Sequence, residues 1–408
     1  MIHTSLSPNT ERDDLWLAIK SLVLPWNWFR WKKGADVGEL EKEFKKYLGV
    51  DHAISFQRGR DALYVLLKAL GISEGDEVIL QAYTCVVVPN AIQYTGATPI
   101  YVDIEEGGYN IDPELLEAAI NHHTKAIIVQ HTFGEPANLE AIQKICKKHN
   151  ILLIEDCAHA LSAEYKGKKV GTFGDAAIYS FGRDKIISSV WGGMVTTDDE
   201  ELASKVKELQ RELPFPTFVQ TKQALIHPLL FALIKPFYRF KIGKAALLFF
   251  QKTQLIPRVI FPKEKKGMKP KFFPQQMSNI LARLALHQLR KIERFKEHRL
   301  KIAERYSEAL KGSDFGLPPA NPDAAWLRYT ISTPEAGAIL KKARKRGVYL
   351  GDWYRTALAP EDCPPEFFQY HSGSCPRAEK AAEETMNLPT HVQMDGGKVE
   401  QVVKALGK

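Results

Sequence analysis

The chain has 408 residues, a formal net charge of +8 at neutral pH and a pI near 9.0. Its length exceeds the roughly 100–150 residues usual for one domain, so two packed units, or a large α/β unit with a smaller companion, are expected. With 45% hydrophobic and 25% charged residues, it is neither mainly disordered nor collagen-like. Five scattered cysteines without a C-x-x-C pair rule out a disulfide framework and give no zinc signature, so a reducing compartment is the expectation. Met1–Asp14 has no basic stretch followed by an apolar core, so no secretory signal is read and a cytoplasmic protein is expected. The positive charge suits an anionic partner: nucleic acid, a membrane surface or a phosphorylated small molecule.

Residues 1–36 read as an N-terminal arm, which carries the aromatic run Pro25-Trp26-Asn27-Trp28-Phe29-Arg30-Trp31-Lys32-Lys33. Between Val37 and Thr197, helical stretches alternate with short β-branched runs at Val78–Leu80, Ile100–Val102, Ala126–Val129, Ile151–Ile154, Ala176–Ser180 and Met194–Thr196. Such runs, with helical segments like Leu139–His149 between them, predict buried strands joined by crossover helices and hence a largely parallel sheet. A large domain over residues 37–212 results. Ligands bind beyond the carboxyl ends of such strands, which points to Asp103, His131, Asp156 and Phe181. Residues 213–275 read as a basic apolar insertion, since Lys222–Lys271 holds twelve Lys/Arg and one acid, Glu264, among blocks such as Pro228–Ile234 and Ala245–Phe250. No block reaches the ~18 apolar residues of a spanning helix, because Lys235, Arg239, Lys241 and Lys244 interrupt it. Residues 276–408 predict a long helix over Met277–Leu310 and a smaller α+β domain. The elements of that domain are a strand at Trp326–Ser332, a helix at Pro334–Arg346 capped by Thr333, and a last helix at Gly396–Leu406.

Three segments carry chemistry. Arg58-Gly59-Arg60 precedes the helical Asp61–Leu70, and a glycine turn that opens a helix offers backbone N–H groups and a positive dipole end to a phosphate. A plain helix start on an exposed loop fits the same residues. Ile151–Ile154 runs into Glu155-Asp156-Cys157-Ala158-His159, where a carboxylate serves as a helix cap, a magnesium ligand or the partner of a cofactor's pyridine nitrogen. Gly174–Lys185 contains Ser180 and Lys185 and is followed by Gly192-Gly193. Taken alone, Lys185 reads as a solvated side chain. Neither a G-x-G-x-x-G nor a Walker lysine motif is present.

Read together, these segments resemble the DegT/DnrJ/EryC1/StrS family of sugar aminotransferases. The resemblance covers Asp36 to about Thr197, including Gly75-Asp76-Glu77-Val78, Tyr109–Pro113 and Gly171–Asp175. It resumes at Met277–Leu310, Cys375–Glu379 and Leu388-Pro389. It implies the three-layer α/β fold type I of pyridoxal 5′-phosphate (PLP) enzymes, with a mostly parallel sheet and a smaller α+β C-terminal domain. It also implies that Lys185 is the catalytic lysine that holds the cofactor's aldehyde as an aldimine, that Asp156 partners the pyridine nitrogen and that His159 lies near the phenolic oxygen. Ser180, Gly59 and Arg60 are implied to hold the phosphate, with Arg60 where the family has threonine and Arg58 as a helper. Cys85 stands where many members stack an aromatic ring on the pyridine, so His131 or Tyr83 is an alternative cover. Phe272–Gln276 lacks the asparagine that reaches a neighbouring subunit in many members, and Ala357 stands near a family histidine; a homodimer is implied nonetheless. No metal is expected. The activity implied is transfer of an amino group from L-glutamate to a nucleotide-linked ketosugar, because members that dehydrate sugars have histidine at the position of Lys185.

The apolar blocks and Lys/Arg of 222–271, with the tryptophans of 25–33, have the chemistry of segments that lie in a membrane interface against anionic lipid heads. Packing on the body or at a dimer contact fits the same pattern. Peripheral contact at the inner face of a membrane therefore joins the expectations. The basic segment has no helix-turn-helix or zinc-finger pattern, which argues against a nucleic-acid partner. Two alternatives stay open: a fold-type I lyase using the same cofactor, and a membrane-associated sensor that keeps the fold without turnover.

Overall fold

The computed structural model describes residues 1–5, 7–240, 243, 245, 249–250, 255–256 and 258–408. A seven-stranded sheet forms its centre, in the spatial order His52–Phe56, Gly193–Thr197, Ala176–Ser180, Leu152–Asp156, Thr124–Gln130, Glu77–Gln81 and Thr98–Val102. The last five are parallel to one another, while Gly193–Thr197 runs antiparallel to both its neighbours. All six β-branched runs are strands of this sheet, and His52–Phe56 adds an edge. Alternate residues feed two apolar layers: Ile127, Val129 and Leu153 pack with Phe44 and Leu281 on one face, Ile128, Ile154 and Ile178 with Leu66 and Ala203 on the other. Strands buried on both faces need apolar residues at successive positions, which is why they read as runs rather than as alternation. The result is the three-layer architecture of fold type I.

The single helix expected over Met277–Leu310 is two helices, Asn279–Leu289 and Ile292–Leu310. Between them Lys291 leaves the helical conformation at φ −104°, ψ 3°, with its ammonium held by Glu11 at 3.2 Å, Asp13 at 2.7 Å and Asp14 at 3.1 Å. Ile292–Leu310 runs into the smaller domain, whose core includes Tyr306, Tyr329, Ile331, Met386 and Val402. There Arg328–Ser332 pairs antiparallel with Thr385–Pro389. The strand starts at Arg328 rather than Trp326 because Trp326 has φ +46°, which no strand accommodates. The helix expected at Pro334 begins at Ala336, since Thr333 Oγ1 accepts the Glu335 N–H at 3.3 Å and so closes the turn ahead of the helix.

Residues 1–36 are more than an arm. Ile2–His3 pairs in parallel with Val348–Tyr349 of the smaller domain, and Arg12–Val23 is a helix packed against Phe218–Ile234 and Asn279–Leu289. Reciprocal capping boxes open both Arg12–Val23 (Glu11, Asp14) and Phe218–Ile234 (Thr217, Gln220). Lys241 and Lys244 of the basic segment lie outside the described residues. Among the described residues, no helix is long and apolar enough to cross a membrane.

Candidate active site

Three adjacent parts of the sheet converge at one end. Leu152–Asp156 delivers Asp156 at its last position, Ala176–Ser180 delivers Ser180, and Lys185 follows on the loop that leads to Gly193. Gly59, Arg60, Cys85, Asp156, His159, Ser180 and Lys185 all line one cavity of about 580 Å³. Burial pushes the Lys185 amine down to about 8, against the opposing pull of Asp156 and Cys85 and with the help of the Arg328 guanidinium. Its Nζ lies 5.5 Å from the Trp353 ring centroid. Burial raises Asp156, while the Ala158 N–H, donated at 2.9 Å, and the charges of Lys185 and His131 pull it back. His159 is held well below its ordinary range by burial and then by the cations Lys185 and Arg328, so its ring is neutral. That ring accepts the Phe133 N–H at Nδ1 (3.3 Å), meets the Tyr354 hydroxyl at Nε2 (3.3 Å) and stacks on Trp353 at 5.6 Å.

The same cavity also gathers donors that suit an anion. Gly59 opens the Gly59–Ala69 helix, and a Cβ there would meet Ser180 Cβ at 3.0 Å and the Tyr179 carbonyl at 3.3 Å, so glycine alone lets the helix start reach the Ser180 hydroxyl. Arg58 is buried over the Trp191 ring at 4.4 Å, and its Nε and Nη2 have no hydrogen-bond partner among the described residues. Its nearest acid is Asp61, at 3.6 Å from Nη1. Arg60 is committed elsewhere: its Nε meets Glu264 at 3.0 Å and its Nη1 donates to the Val259 carbonyl at 3.0 Å. Arg58 thus brings unclaimed guanidinium donors to the cavity, while Arg60 faces it with its charge tied to the 213–275 segment.

Two residues named as alternative ring covers do not line the cavity. His131 is fully buried and pairs with Glu155 at 3.1 Å. Tyr83 is buried too, with its hydroxyl donated to the Trp353 carbonyl at 3.2 Å. Of the acidic pair at the strand end, only Asp156 reaches the cavity. Glu155 is structural, accepting the N–H groups of Gly171 (2.7 Å), Phe173 (2.7 Å) and Gly174 (2.8 Å). Trp353, Tyr354, Gln130 and His227 also line the cavity and had not been singled out. Gln130 is the last residue of its strand, so the strand-end rule applied one residue earlier reaches it. His227 sits in an apolar helix with no motif around it, and only the fold brings it here.

The donor set fits PLP: a depressed lysine amine for the aldehyde, a buried carboxylate for the ring nitrogen, and a helix start, a hydroxyl and orphaned guanidinium donors for the phosphate. The sequence profile of the DegT/DnrJ/EryC1/StrS aminotransferase family matches residues 20–214 and 264–407. The chain is 31% identical over 384 residues to the spore coat polysaccharide biosynthesis protein SpsC of Bacillus subtilis, covering 92% of this chain and 89% of the relative. It is 30% identical over 381 residues to the GDP-perosamine synthase of Caulobacter vibrioides, covering 91% and 90%. The solved aminotransferase TlmJ of Streptoalloteichus hindustanus superposes with a TM-score of 0.76 at 25% identity, over 100% of this chain and 98% of that one. With the lysine, the carboxylate and the anion seat in one cavity and the profile matched on both sides of the insertion, the chain belongs to the DegT/DnrJ/EryC1/StrS aminotransferase family and is a PLP-dependent sugar aminotransferase.

Proposed function

We propose that the protein moves an amino group from an amino acid, L-glutamate, to a nucleotide-linked ketosugar in a ping-pong cycle on Lys185. In this reading it works as a cytoplasmic homodimer with peripheral contact at the inner face of a membrane through residues 222–271 and 25–33. The observation that carries the catalytic part is the half-buried Lys185, which lines one cavity with Asp156 and whose amine is lowered to about 8. The nucleotide-linked acceptor is supported by the name of the Caulobacter relative.

When bound, PLP supplies the electron sink and carries the amino group between the two half-reactions. The chain's own residues do the rest. At pH 7 roughly a tenth of a lysine population with such a pKa is neutral, so Lys185 Nζ would move a proton from the donor's α-carbon to the bound cofactor's carbon, and in the second half-reaction a proton the opposite way, onto the acceptor sugar's carbon. Asp156 would hold the protonated ring nitrogen, a cation that favours its carboxylate as the Lys185 and His131 charges and the Ala158 N–H do against burial. His159, neutral and with its nitrogens already bonded to the Phe133 N–H and the Tyr354 hydroxyl, lines the cavity without adding a competing cation. The N–H groups of Gly59 and Arg60, the Ser180 hydroxyl and Arg58 would hold the phosphate, with Cys85, Trp353 and Tyr354 lining the same cavity.

The test is incubation of the PLP-loaded protein with L-glutamate and a panel of nucleotide-linked ketosugars, with products read by mass. An aminosugar and 2-oxoglutarate in equal amounts are expected. Lys185→Ala, with unchanged far-UV circular dichroism, should give neither. Consumption of a sugar without gain of nitrogen would instead favour a lyase.

A further inference from the structure

Residues 215–263 lie between the two stretches matched by the family profile. They coincide with a stretch, 213–263, that contains no Asp or Glu; residues 15–35 contain none either. The fold brings these two acid-free segments together. The Arg12–Val23 and Phe218–Ile234 helices pack on each other, and the Phe218 ring stacks on Trp31 at 4.6 Å and meets Trp28 at 5.9 Å.

Each helix also turns a side to solvent, and that side carries large apolar residues among its lysines; Asp13, at the start of the first, is paired with His287 and Lys291. On the first, Trp16, Lys20 and Val23 follow at four- and three-residue spacing, with Trp16 61% and Val23 66% exposed. The chain then turns through Trp26, 65% exposed, and Phe29, 89% exposed. On the second, Val219, Lys222, Ile226, Leu230 and Leu233 succeed one another at three- and four-residue spacing, with Val219 62% and Leu233 68% exposed. Around them stand Lys20, Arg30, Lys32, Lys33 and Lys222, all exposed. Aromatic rings and leucines rimmed by lysine and arginine, with carboxylates left out of both segments, match the headgroup region of an anionic leaflet. Phe218–Ile234 turns its other side inward: His227 on that side is buried and lines the cavity that holds Lys185. One helix, about 10 Å across, therefore separates the exposed face from the cavity.

We infer that this face, built by Trp16, Val23, Trp26, Phe29, Val219 and Leu233 with Lys20, Lys32, Lys33 and Lys222, docks the protein on an anionic lipid surface. The inference deepens the peripheral contact proposed above and rests on it. It confines that contact to one face and to acidic lipids, and it sets the cavity wall against the leaflet.

Flotation of the PLP-loaded full chain with phosphatidylcholine vesicles, with and without phosphatidylglycerol, tests it. The intact protein should float with the phosphatidylglycerol vesicles and stay down with phosphatidylcholine alone. The pairs Trp26→Ser with Phe29→Ser, and Lys32→Glu with Lys33→Glu, should each cut the floated fraction roughly tenfold or more. Lys341→Glu with Lys342→Glu, on the smaller domain, should leave it unchanged. If the intact protein floats and both pairs still float, the protein contacts membranes elsewhere and this face is wrong. If the intact protein never floats, the peripheral contact itself fails. If it never floats and light scattering shows the Trp26/Phe29 pair turning a dimer into monomers, the face is a subunit contact. The cofactor's absorbance and the aminotransferase assay on the same samples report the catalytic reading separately.

Discussion

Two side chains at the cavity make sharp demands on experiment. The first is Lys185, whose amine burial lowers from 10.5 to about 8. Only the neutral amine attacks an aldehyde, and it is the form present above the pKa, so capture of PLP by the apo protein should quicken about tenfold per pH unit up to about 8 and level off beyond. Stopped-flow absorbance reads this directly, and a profile still climbing at pH 10 would mean that the amine keeps its ordinary pKa. The second is Arg58, whose Nε and Nη2 await an acceptor. Arg58→Met keeps an apolar side chain of similar reach and removes the donors together with the guanidinium over Trp191, so it should weaken PLP binding by roughly ten- to a hundredfold. Pyridoxal, which lacks the phosphate, should bind the variant and the parent alike; equal losses for both vitamers would place Arg58 outside the phosphate seat.

At the level of elements, the phosphate end depends on how closely a strand, a helix start and a loop approach one another. A Cβ on Gly193 would lie 2.5 Å from the Arg58 carbonyl carbon and oxygen and 2.6 Å from the Gly59 nitrogen, all backbone atoms with nowhere to yield. Gly193→Ala should therefore push the Gly59–Ala69 helix start off Ser180, costing about 1–3 kcal/mol in chemical denaturation and loosening PLP. On the other flank, Arg60 and Glu264 form an ion pair with side chains 8% and 1% exposed. Glu264→Leu leaves a nearly buried guanidinium without its anion and should cost about 3–5 kcal/mol, whereas Arg60→Met with Glu264→Leu should restore most of it. Both contacts explain what could and could not be read from the chain. Strands such as Ala126–Val129 and the Leu139–His149 helix declare themselves by local composition, whereas Lys185, Asp156 and Ser180 stand out only when their segments are read together as a family resemblance. The Arg60–Glu264 pair spans some 200 positions, so the sequence showed Arg60 without showing what claims it. The break at Lys291 escaped for the same reason, since its carboxylate partners lie in the first fourteen residues.

Over the whole molecule, one buried chain of hydrogen bonds ties the N-terminus, the lysine loop and the smaller domain together. Asn9 Nδ2 donates to the carbonyls of Lys185 and, at 2.9 Å, Ile186. Its Oδ1 accepts from Arg299 Nη2 at 2.8 Å. Arg299, 1% exposed, donates from Nη1 to the carbonyls of Trp326 (3.2 Å) and Leu327 (3.0 Å) and to Thr390 Oγ1 (2.8 Å). No carboxylate is among these partners, and burial brings the Arg299 guanidinium down to about 9, with Arg328 adding to the effect. A cation held this way relies on every acceptor it has. Asn9→Ala takes one acceptor from Arg299 and two donor contacts from the lysine loop at once, in a region without access to water. The expected loss is about 1–3 kcal/mol for each group left unmet, seen as a lower melting temperature of the holo protein. Asn9→Asp separates the two halves of the effect, because it gives Arg299 a charged acceptor but removes the N–H donors to Lys185 and Ile186. If the lysine loop depends on the arm, Asn9→Asp should recover much of the thermal stability lost by Asn9→Ala and still show faster protease cleavage between Arg183 and Val190 than the parent. Cleavage at the parental rate in both variants would mean that the loop holds its shape without the N-terminus.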